Sequence, residues 1–572
     1  VAGEYCRQKI GPGGLFIGDG LQMAQAPYGV MWHKNEAYGA IRYINIFFEK
    51  IGNVYNMEDS EKKLWTAELK ALKAHFYFEL MRRYGPIILV PENIDPNASL
   101  DEMKQPRRPI DEVVNAIVDL CDEAIEDLPY LKEKPSTRIT YHSKESAATL
   151  KAMTLLYAAS PLFNGNKMFA NFLNKNGERL FPDYDKEKWR KAAEAADEAI
   201  KICEAAGKTL VTGNTDRPTK LLNIMKDIED SALAPDYKNS EAIFYVRNTS
   251  GGPCGYILPF FAGEGEGADC YDPHSIGCLG ASMKMVEMFY TEHGVPISED
   301  KQWVVAKYSM GRESDEKYTN VLNLNTEILG LHRRREPRFY ANIGADRTLW
   351  YRMQKSGSEQ KYVAQEICAY QGELYGTKIT RIDNNTPQNL SGYWIKKYLR
   401  SNITFYYYTS RDNTEKGGII FRLPDLYLAS SEAWNEYLDA PDNRVYDPLN
   451  KIRERAGILN VQEAWKNYAR NPDKVNTKLG MREIIQQEWN IEFAFEGRRF
   501  WNLRRWMTAP EELNTPQYGW NVLGSTAETF YHNYDGPIVV WSKRKFNVPR
   551  DYFFPIQSEE VLMSECKQNL GW

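Results

Sequence analysis

The chain of 572 residues carries 72 Lys and Arg against 77 Asp and Glu, a formal charge of −5 with both signs interspersed, so no basic stripe points to nucleic acid. Hydrophobic residues make up 43%, enough for a large core, yet no apolar run approaches the length of a membrane span. Eight cysteines without a C-x-x-C spacing are too sparse for a disulfide framework, although Cys254, Cys270 and Cys278 cluster closely enough for one local bridge.

Residues 11–35 are rich in Gly, Pro and polar side chains and read as a loop, carrying Tyr28, Trp32 and His33 towards a helix over 36–51. A long amphipathic helix follows over 63–84, with small residues at Ala67, Ala71 and Ala74 and a stop at Gly85-Pro86. After a proline-rich stretch over 91–109, residues 111–128 and 143–160 form the next helical pair, and 189–206 adds an Ala-rich helix. Aligning Leu69-Lys70-Ala71 with Leu150-Lys151-Ala152 also aligns Leu72 with Met153 and Phe76 with Tyr157. That shared small/large pattern predicts helical hairpins of tetratricopeptide type.

From 235 to 418 Gly-rich turns, Pro and isolated aromatics replace helical periodicity, with strand-like runs at 242–246 and 403–408. The block is too long for a structureless loop and reads as a subdomain inserted between helical hairpins. Helical spacing returns at 424–438, 445–455 and 479–496, and 539–572 reads as an extended tail that wraps the scaffold. The expected fold is mainly α: a tetratricopeptide-like helical hairpin scaffold (1–234 and 419–572) with an irregular, loop-rich insertion (235–418).

The densest chemistry lies at 488–506, E-W-N-I-E-F-A-F-E-G-R-R-F-W-N-L-R-R-W. Glu488, Glu492 and Glu496 recur every fourth residue and line one helix face, with Trp489 and Phe493 beside them. Gly497 permits the helix to end or bend. Beyond it, Arg498, Arg499, Arg504 and Arg505 alternate with Phe500, Trp501, Leu503 and Trp506. Such crowding predicts partly buried Arg–carboxylate pairs and Arg–aromatic stacking, a structural lock in preference to a catalytic group.

The same stretch resembles the signature of the SusD/RagB family, lipid-anchored nutrient-binding proteins of Gram-negative outer membranes. Glu492, Glu496, Gly497, Arg498, Arg499, Trp501, Arg504, Arg505 and Trp506 carry the likeness. R-L-P-D-L-Y-L-A-S-S-E-A-W-N-E-Y at 422–437, with L-N-K-I-R-E-R-A-G at 449–457, is similar to a second block of that family. The segment from F-P-I-Q-S-E-E to Q-N-L-G-W within 554–572 resembles its closing block, and 64–91 echoes its N-terminal half. The resemblance implies a non-enzymatic surface protein that captures an oligosaccharide and passes it to a SusC-like TonB-dependent transporter. The rival within the family is a peptide binder in the manner of RagB. Outside it stand a glycoside hydrolase on an α-helical scaffold and a plain tetratricopeptide interaction module, the latter opposed by the long insertion. No charged and apolar leader and no lipobox is seen before Cys6, so outer-membrane lipid anchoring is an expectation from the resemblance alone.

Seven histidines, at 33, 75, 142, 274, 293, 332 and 532, show no H-E-x-x-H spacing, and no G-x-S-x-G, Walker or Rossmann fingerprint occurs in a strand–helix context. His75 reads as a satisfied core or boundary residue within its helix. The run G-E-G-E-G-A-D-C-Y-D at 263–272 reads as a solvated acidic loop, with Ca²⁺ as the one cofactor its oxygens suit. His332-Arg333-Arg334-Arg335 reads as a solvated charge run, with anion binding as the alternative.

Aromatic residues reach 13%, with 36 Tyr and 14 Trp, more than a core of this size needs. Several sit outside helical stripes: Tyr28, Trp32, Trp303, Tyr308, Trp350, Tyr351, Tyr393, Trp394 and the tyrosines at 406–408. Sugar rings present apolar C–H faces that stack on flat rings. Tyr28, Trp32, Trp303, Trp350 and Trp394 are therefore the candidate platforms. The resemblance implies a binding face built jointly by the N-terminal part and the insertion.

Overall fold

In the computed structural model, which describes residues 17–233, 239–247, 279–356, 359–373, 375–376, 389–398 and 417–572, the small residues of the helices become contact surfaces. Helices α1 (Ala37–Lys50), α2 (Asp59–Tyr84), α3 (Ile110–Asp127), α4 (Lys144–Ala159) and α5 (Glu187–Ala205) follow in order. Ala67, Ala71 and Ala74 of α2 and Ala192, Ala193, Ala196 and Ala199 of α5 are buried, and their small volume lets neighbouring helices approach. Helix α2 packs on α3, α3 on α4 and α4 on α5, the hairpin array that the repeated pattern predicts. Gly85 ends α2 at a φ of 73°, which a residue with a Cβ resists.

Helix α6 (Lys220–Ser231) leads into strand β1 (Ala242–Arg247). Beyond it come α7 (Met283–Met288), α8 (Pro337–Asn342), the hairpin β2 (Leu349–Ser356) and β3 (Glu359–Glu366), and the return strand β4 (Gly417–Arg422). Strands β1 and β4 pair antiparallel, Ala242 opposite Arg422 and Val246 opposite Gly418, so both ends of the non-helical segment meet at one neck. The strand expected at 242–246 is β1. The one expected at 403–408, the acidic loop at 263–272 and Cys254, Cys270 and Cys278 lie outside the described residues.

Helix α9 (Leu423–Tyr437) begins directly after the neck and packs on α5, so the array continues across the interruption in sequence. Helix α10 (Asn443–Arg455) packs on α9, followed by α11 (Val461–Tyr468), α12 (Lys478–Glu492), which also packs on α9, and α13 (Arg498–Arg505). The C-terminal tail lies along α2: Phe554 N donates to Arg83 O at 2.7 Å, and Arg107 donates to Asn569 Oδ1 at 2.8 Å. Two apolar cores result. One runs through the helices and takes in Tyr77, Leu156, Leu426, Trp489 and Phe553. The other is built from residues of the insertion such as Phe289, Leu331, Phe339, Tyr393 and Trp394, and is closed by Ile491, Ala494, Trp520 and Tyr531.

Buried charge joins the two. The helix expected over 479–496 stops at Glu492; Phe495 takes a φ of 66° and Gly497 one of 80°, and the turn carries Glu496 to Arg422 at the end of β4. The acidic line therefore does not meet the arginines that follow it. Arg338 of α8 bonds Glu336 at 2.7 Å and Glu488 at 2.5 Å, and Arg453 of α10 bonds Glu488 at 3.2 Å. Arg422 reaches Glu492 at 2.6 Å, Glu496 at 2.8 Å and Glu241 at 3.2 Å. Arg455 bonds Glu241 at 2.8 Å and also Glu492, and Lys397 bonds Glu496 at 2.5 Å. None of these side chains is more than 6% exposed, and the glutamates match the cations one for one. Burial alone raises the pKa of Glu492, but Arg455, Arg422, Arg338 and Lys397 overcome it and hold the carboxyl well below its usual range.

The arginines of the signature find other partners. Arg498 bonds Asp425 at 2.8 Å, and Arg505 bonds Glu432 at 2.7 Å, where Trp506 Nε1 also donates at 2.8 Å. Arg504 lies 3.7 Å from the Phe500 ring centroid, and Trp501 sits under Arg82 at 4.4 Å, which is the Arg–aromatic stacking expected of them. Arg499 stands apart, part-exposed and paired with Glu512 at 2.6 Å.

In the run at His332 the histidine and Arg335 are buried, and Arg333 and Arg334 are part-exposed and already paired. Buried Arg335 donates to the carbonyls of Leu331 (2.7 Å), Val286 (2.8 Å), Phe289 (2.6 Å) and Tyr290 (3.2 Å), while Arg333 and Arg334 hold Glu313 at 3.3 and 3.2 Å. His332 lies between Asp346 O and Tyr393 Oη at 3.2 and 3.0 Å, and burial pulls its pKa down to about 3. His142, stacked on Phe244 at 4.2 Å and 3.2 Å from His75, is held well below the usual range by burial first and then by His75.

Arg422→Ala takes one cation from three buried glutamates, leaving five carboxylates against four cations, and is expected to lower the unfolding free energy by about 3–5 kcal/mol. Arg499→Ala removes a part-exposed pair and is expected to cost under about 1 kcal/mol; urea titration distinguishes the two. The buried histidines make stability depend on pH. Their folded pKa values lie below the unfolded value of about 6.5, so stability is full above that pH and declines as pH falls below it. His332 is expected to remove about 2 kcal/mol between pH 7.5 and 5, with His142 acting in the same direction, and His332→Gln is expected to flatten the slope by its share.

Candidate functional site

A stacking platform needs an open ring face, and burial decides which aromatics have one. Trp32 is 4% exposed, packed edge-on against Tyr38 and Tyr84 at 5.3 and 5.2 Å. Trp303 is 9% exposed, and its Nε1 donates to Arg333 O at 3.3 Å. Trp350 and Trp394, each 4% exposed, flank Tyr375 with ring centroids at 6.2 and 5.6 Å. These four indoles are core residues, against the expectation from sequence. Among its described residues the insertion has few helices to supply an apolar stripe, so it assembles its core from rings carried largely on irregular backbone. Tyr393 is buried for the same reason, its hydroxyl accepting from Trp520 Nε1 at 2.8 Å.

Tyr28 keeps an open face, at 52% exposure. Tyr351 and Tyr362 stack on each other across β2 and β3 at 4.7 Å, with Arg217 4.0 Å over the Tyr362 ring. The tyrosines at 406–408 lie outside the described residues.

A cleft of about 580 Å³ opens between the second core and the C-terminal helices, a volume that suits a small ligand. Helix α7 and the loop after it form one wall with Lys284, Glu287, Met288 and Ile297; α12 and α13 form the other with Gln486, Gln487, Asn490 and Leu503. Gln487 Nε2 donates to Met288 O at 2.8 Å and ties the walls together. Lys307 pairs with Glu287 at 2.5 Å, and the Tyr308 hydroxyl donates to the same carboxylate at 3.1 Å. Asn490 donates from Nδ2 to Gln486 O at 2.8 Å, while its Oδ1 has no partner among the described residues.

At one end, Lys284 and Arg499 both bind Oε2 of Glu512, at 2.5 and 2.6 Å. Burial raises the Glu512 pKa, but Lys284 and Arg499 outweigh it and hold the carboxyl below the usual range. Arg544 lies close enough to feel both Arg499 and Glu512, and burial, then Arg499, lowers its pKa. A second hollow, about 390 Å³, adjoins through the shared Glu483 and carries Glu299, Asp473 and Lys474. The part-exposed Met288 and Ile297 alternate with amides and charges, an arrangement that can hold a polyhydroxylated ring by its face and edges. Among the described residues no group of His, Cys, Asp and Glu is arranged to hold a metal ion. Sequence reasoning missed Lys284, Gln487 and Arg544 as neighbours because no local motif links segments so far apart in the chain.

A profile of the SusD family matches residues 239–572. Over 96 residues, 17% of this chain, the sequence is 38% identical to the SusD-like protein P25 of Formosa agariphila, and the match spans only 16% of that relative's length. Among solved structures, BT4246 superposes with a TM-score of 0.81 at 23% identity, covering 99% of this chain and 93% of that one. A SusD-like protein of Bacteroides fragilis NCTC 9343 gives a TM-score of 0.70 at 24% identity, with coverage of 100% and 91%. A SusD-like carbohydrate-binding protein of the same organism gives 0.64 at 18%, with coverage of 96% and 88%. These structures share the hairpin array and its insertion as a fold. The profile takes in more than half of the chain, including the neck strand β4, the buried ion pairs of α10 and α12 and the tail, and the chain belongs to the SusD family.

Proposed function

We propose that this protein is a glycan-binding component of the cell surface, held at the outer membrane by a lipid anchor, that delivers oligosaccharide to a SusC-like TonB-dependent transporter and performs no catalysis itself. The observation that carries the reading is the family match over residues 239–572. A neighbour in fold described as a SusD-like carbohydrate-binding protein supports the ligand class. So does the cleft, whose amide and charged side chains alternate with apolar patches as sugar hydroxyls and C–H faces require.

Calorimetric titration against a panel of oligosaccharides and peptides tests the reading: the expected result is saturable binding of a glycan, with no new reducing ends after prolonged incubation. Binding of peptides alone, or release of sugar, removes it. The native protein extracted in mild detergent is expected to co-purify with a large outer-membrane β-barrel. Repeated isolation as a free monomer across detergents argues against the transporter partnership.

A further inference from the structure

Charge in the buried cluster around Glu492 is matched one for one. Around Glu492 every glutamate has its cation, and Asp425 and Glu432 each hold an arginine. The end of the cleft at Glu512 departs from that rule. Lys284 and Arg499 share one oxygen of a single carboxylate, and the half-buried Arg544 beside them makes no hydrogen bond or ion pair among the described residues. A guanidinium in such a setting lacks the partner that normally offsets its desolvation. Its planar fork matches the paired oxygens of a carboxylate or sulfate.

We propose that this end of the cleft, lined by Lys284 and Arg499 with Arg544 close behind them, binds the negative substituent of an acidic sugar, a uronate carboxylate or a sulfate ester, so that the ligand is an anionic oligosaccharide. The inference rests on the glycan-binding reading and names its substrate class. Lys284 is 41% and Arg499 27% exposed at the side chain, so both remain accessible to a ligand. Glu512 occupies them in the absence of ligand and competes with it. The adjoining hollow favours the same polarity: Glu299, Asp473 and Glu483 outnumber Lys474 there and repel an anion, leaving one end for the charged sugar. The part-exposed Met288 and Ile297 supply apolar contact for its ring.

The test is calorimetric titration of the wild-type protein with three tetrasaccharides: oligogalacturonate, sulfated galactan and neutral galactan. At low salt at least one anionic ligand is expected to bind about tenfold or more tightly than the neutral one, with the gap narrowing as salt rises. Which of the two binds identifies carboxylate or sulfate as the source. Arg544→Gln and Lys284→Gln, on side chains outside both apolar cores, are each expected to erase most of the gap without changing the melting temperature. Glu512→Gln is expected to widen it, an effect that a purely structural role does not produce. Equal affinity for neutral and anionic glycans, or a preference that survives both Arg544→Gln and Lys284→Gln, overturns the inference and leaves the glycan reading standing. Failure of the wild type to bind any glycan, or binding of acidic peptides only, overturns the reading and the inference together.

Discussion

The buried exchange of charge around Glu492 constrains everything else. Its members come from separate parts of the chain: Glu241 before β1, Arg338 of α8, Lys397 of the insertion, Arg422 at the end of β4, Arg453 and Arg455 of α10, and Glu488 and Glu492 of α12. An ion pair of this kind adds little net stability over a well-packed apolar core, because both partners give up their hydration. Its force lies in what it forbids. Any arrangement of insertion and helices that slips out of register leaves a charge stranded in a medium that cannot solvate it. Apolar contacts tolerate many alternative packings; this cluster tolerates few.

That rigidity reaches the cleft. Its α12 wall belongs to the helix that carries Glu488 and Glu492, and its opposite wall hangs from the segment that Arg335 fastens through the carbonyls of Val286 and Phe289. Gln487 then closes the distance between the two walls. A site framed in this way loses little conformational freedom when it takes up a ligand, and that saving strengthens weak polar contacts of the kind sugars make.

The helical array was legible because its periodicity is local: α2, α3, α4, α5, α9 and α10 all lie within a few residues of where apolar spacing puts them. The 488–506 stretch was legible as a lock, and its tryptophans and Arg504 do stack as expected. Its pairing was not legible, since the partners of Glu488 and Glu492 lie up to 154 residues away and no spacing rule spans that separation. The indoles failed for a related reason. Trp303, Trp350 and Trp394 lie in sequence without period, and absence of a helical stripe was read as exposure, whereas a domain poor in helices must still find a core. Tyr28, in a loop outside both apolar cores, kept its exposed ring.

The neck formed by β1 and β4 has a bearing on how such proteins diversify. Ala242 and Arg422 face each other across one ladder, so the intervening chain leaves and rejoins the scaffold at one place. Closing a loop costs free energy that grows only with the logarithm of its length, about 0.6 kcal/mol for each doubling. Material can therefore be gained, lost or exchanged beyond the neck with small effect on the helices, provided Arg338 and Lys397 or their equivalents still reach the glutamates. Selection for a new ligand can then act on a replaceable cassette, while the frame that fastens it is inherited unchanged.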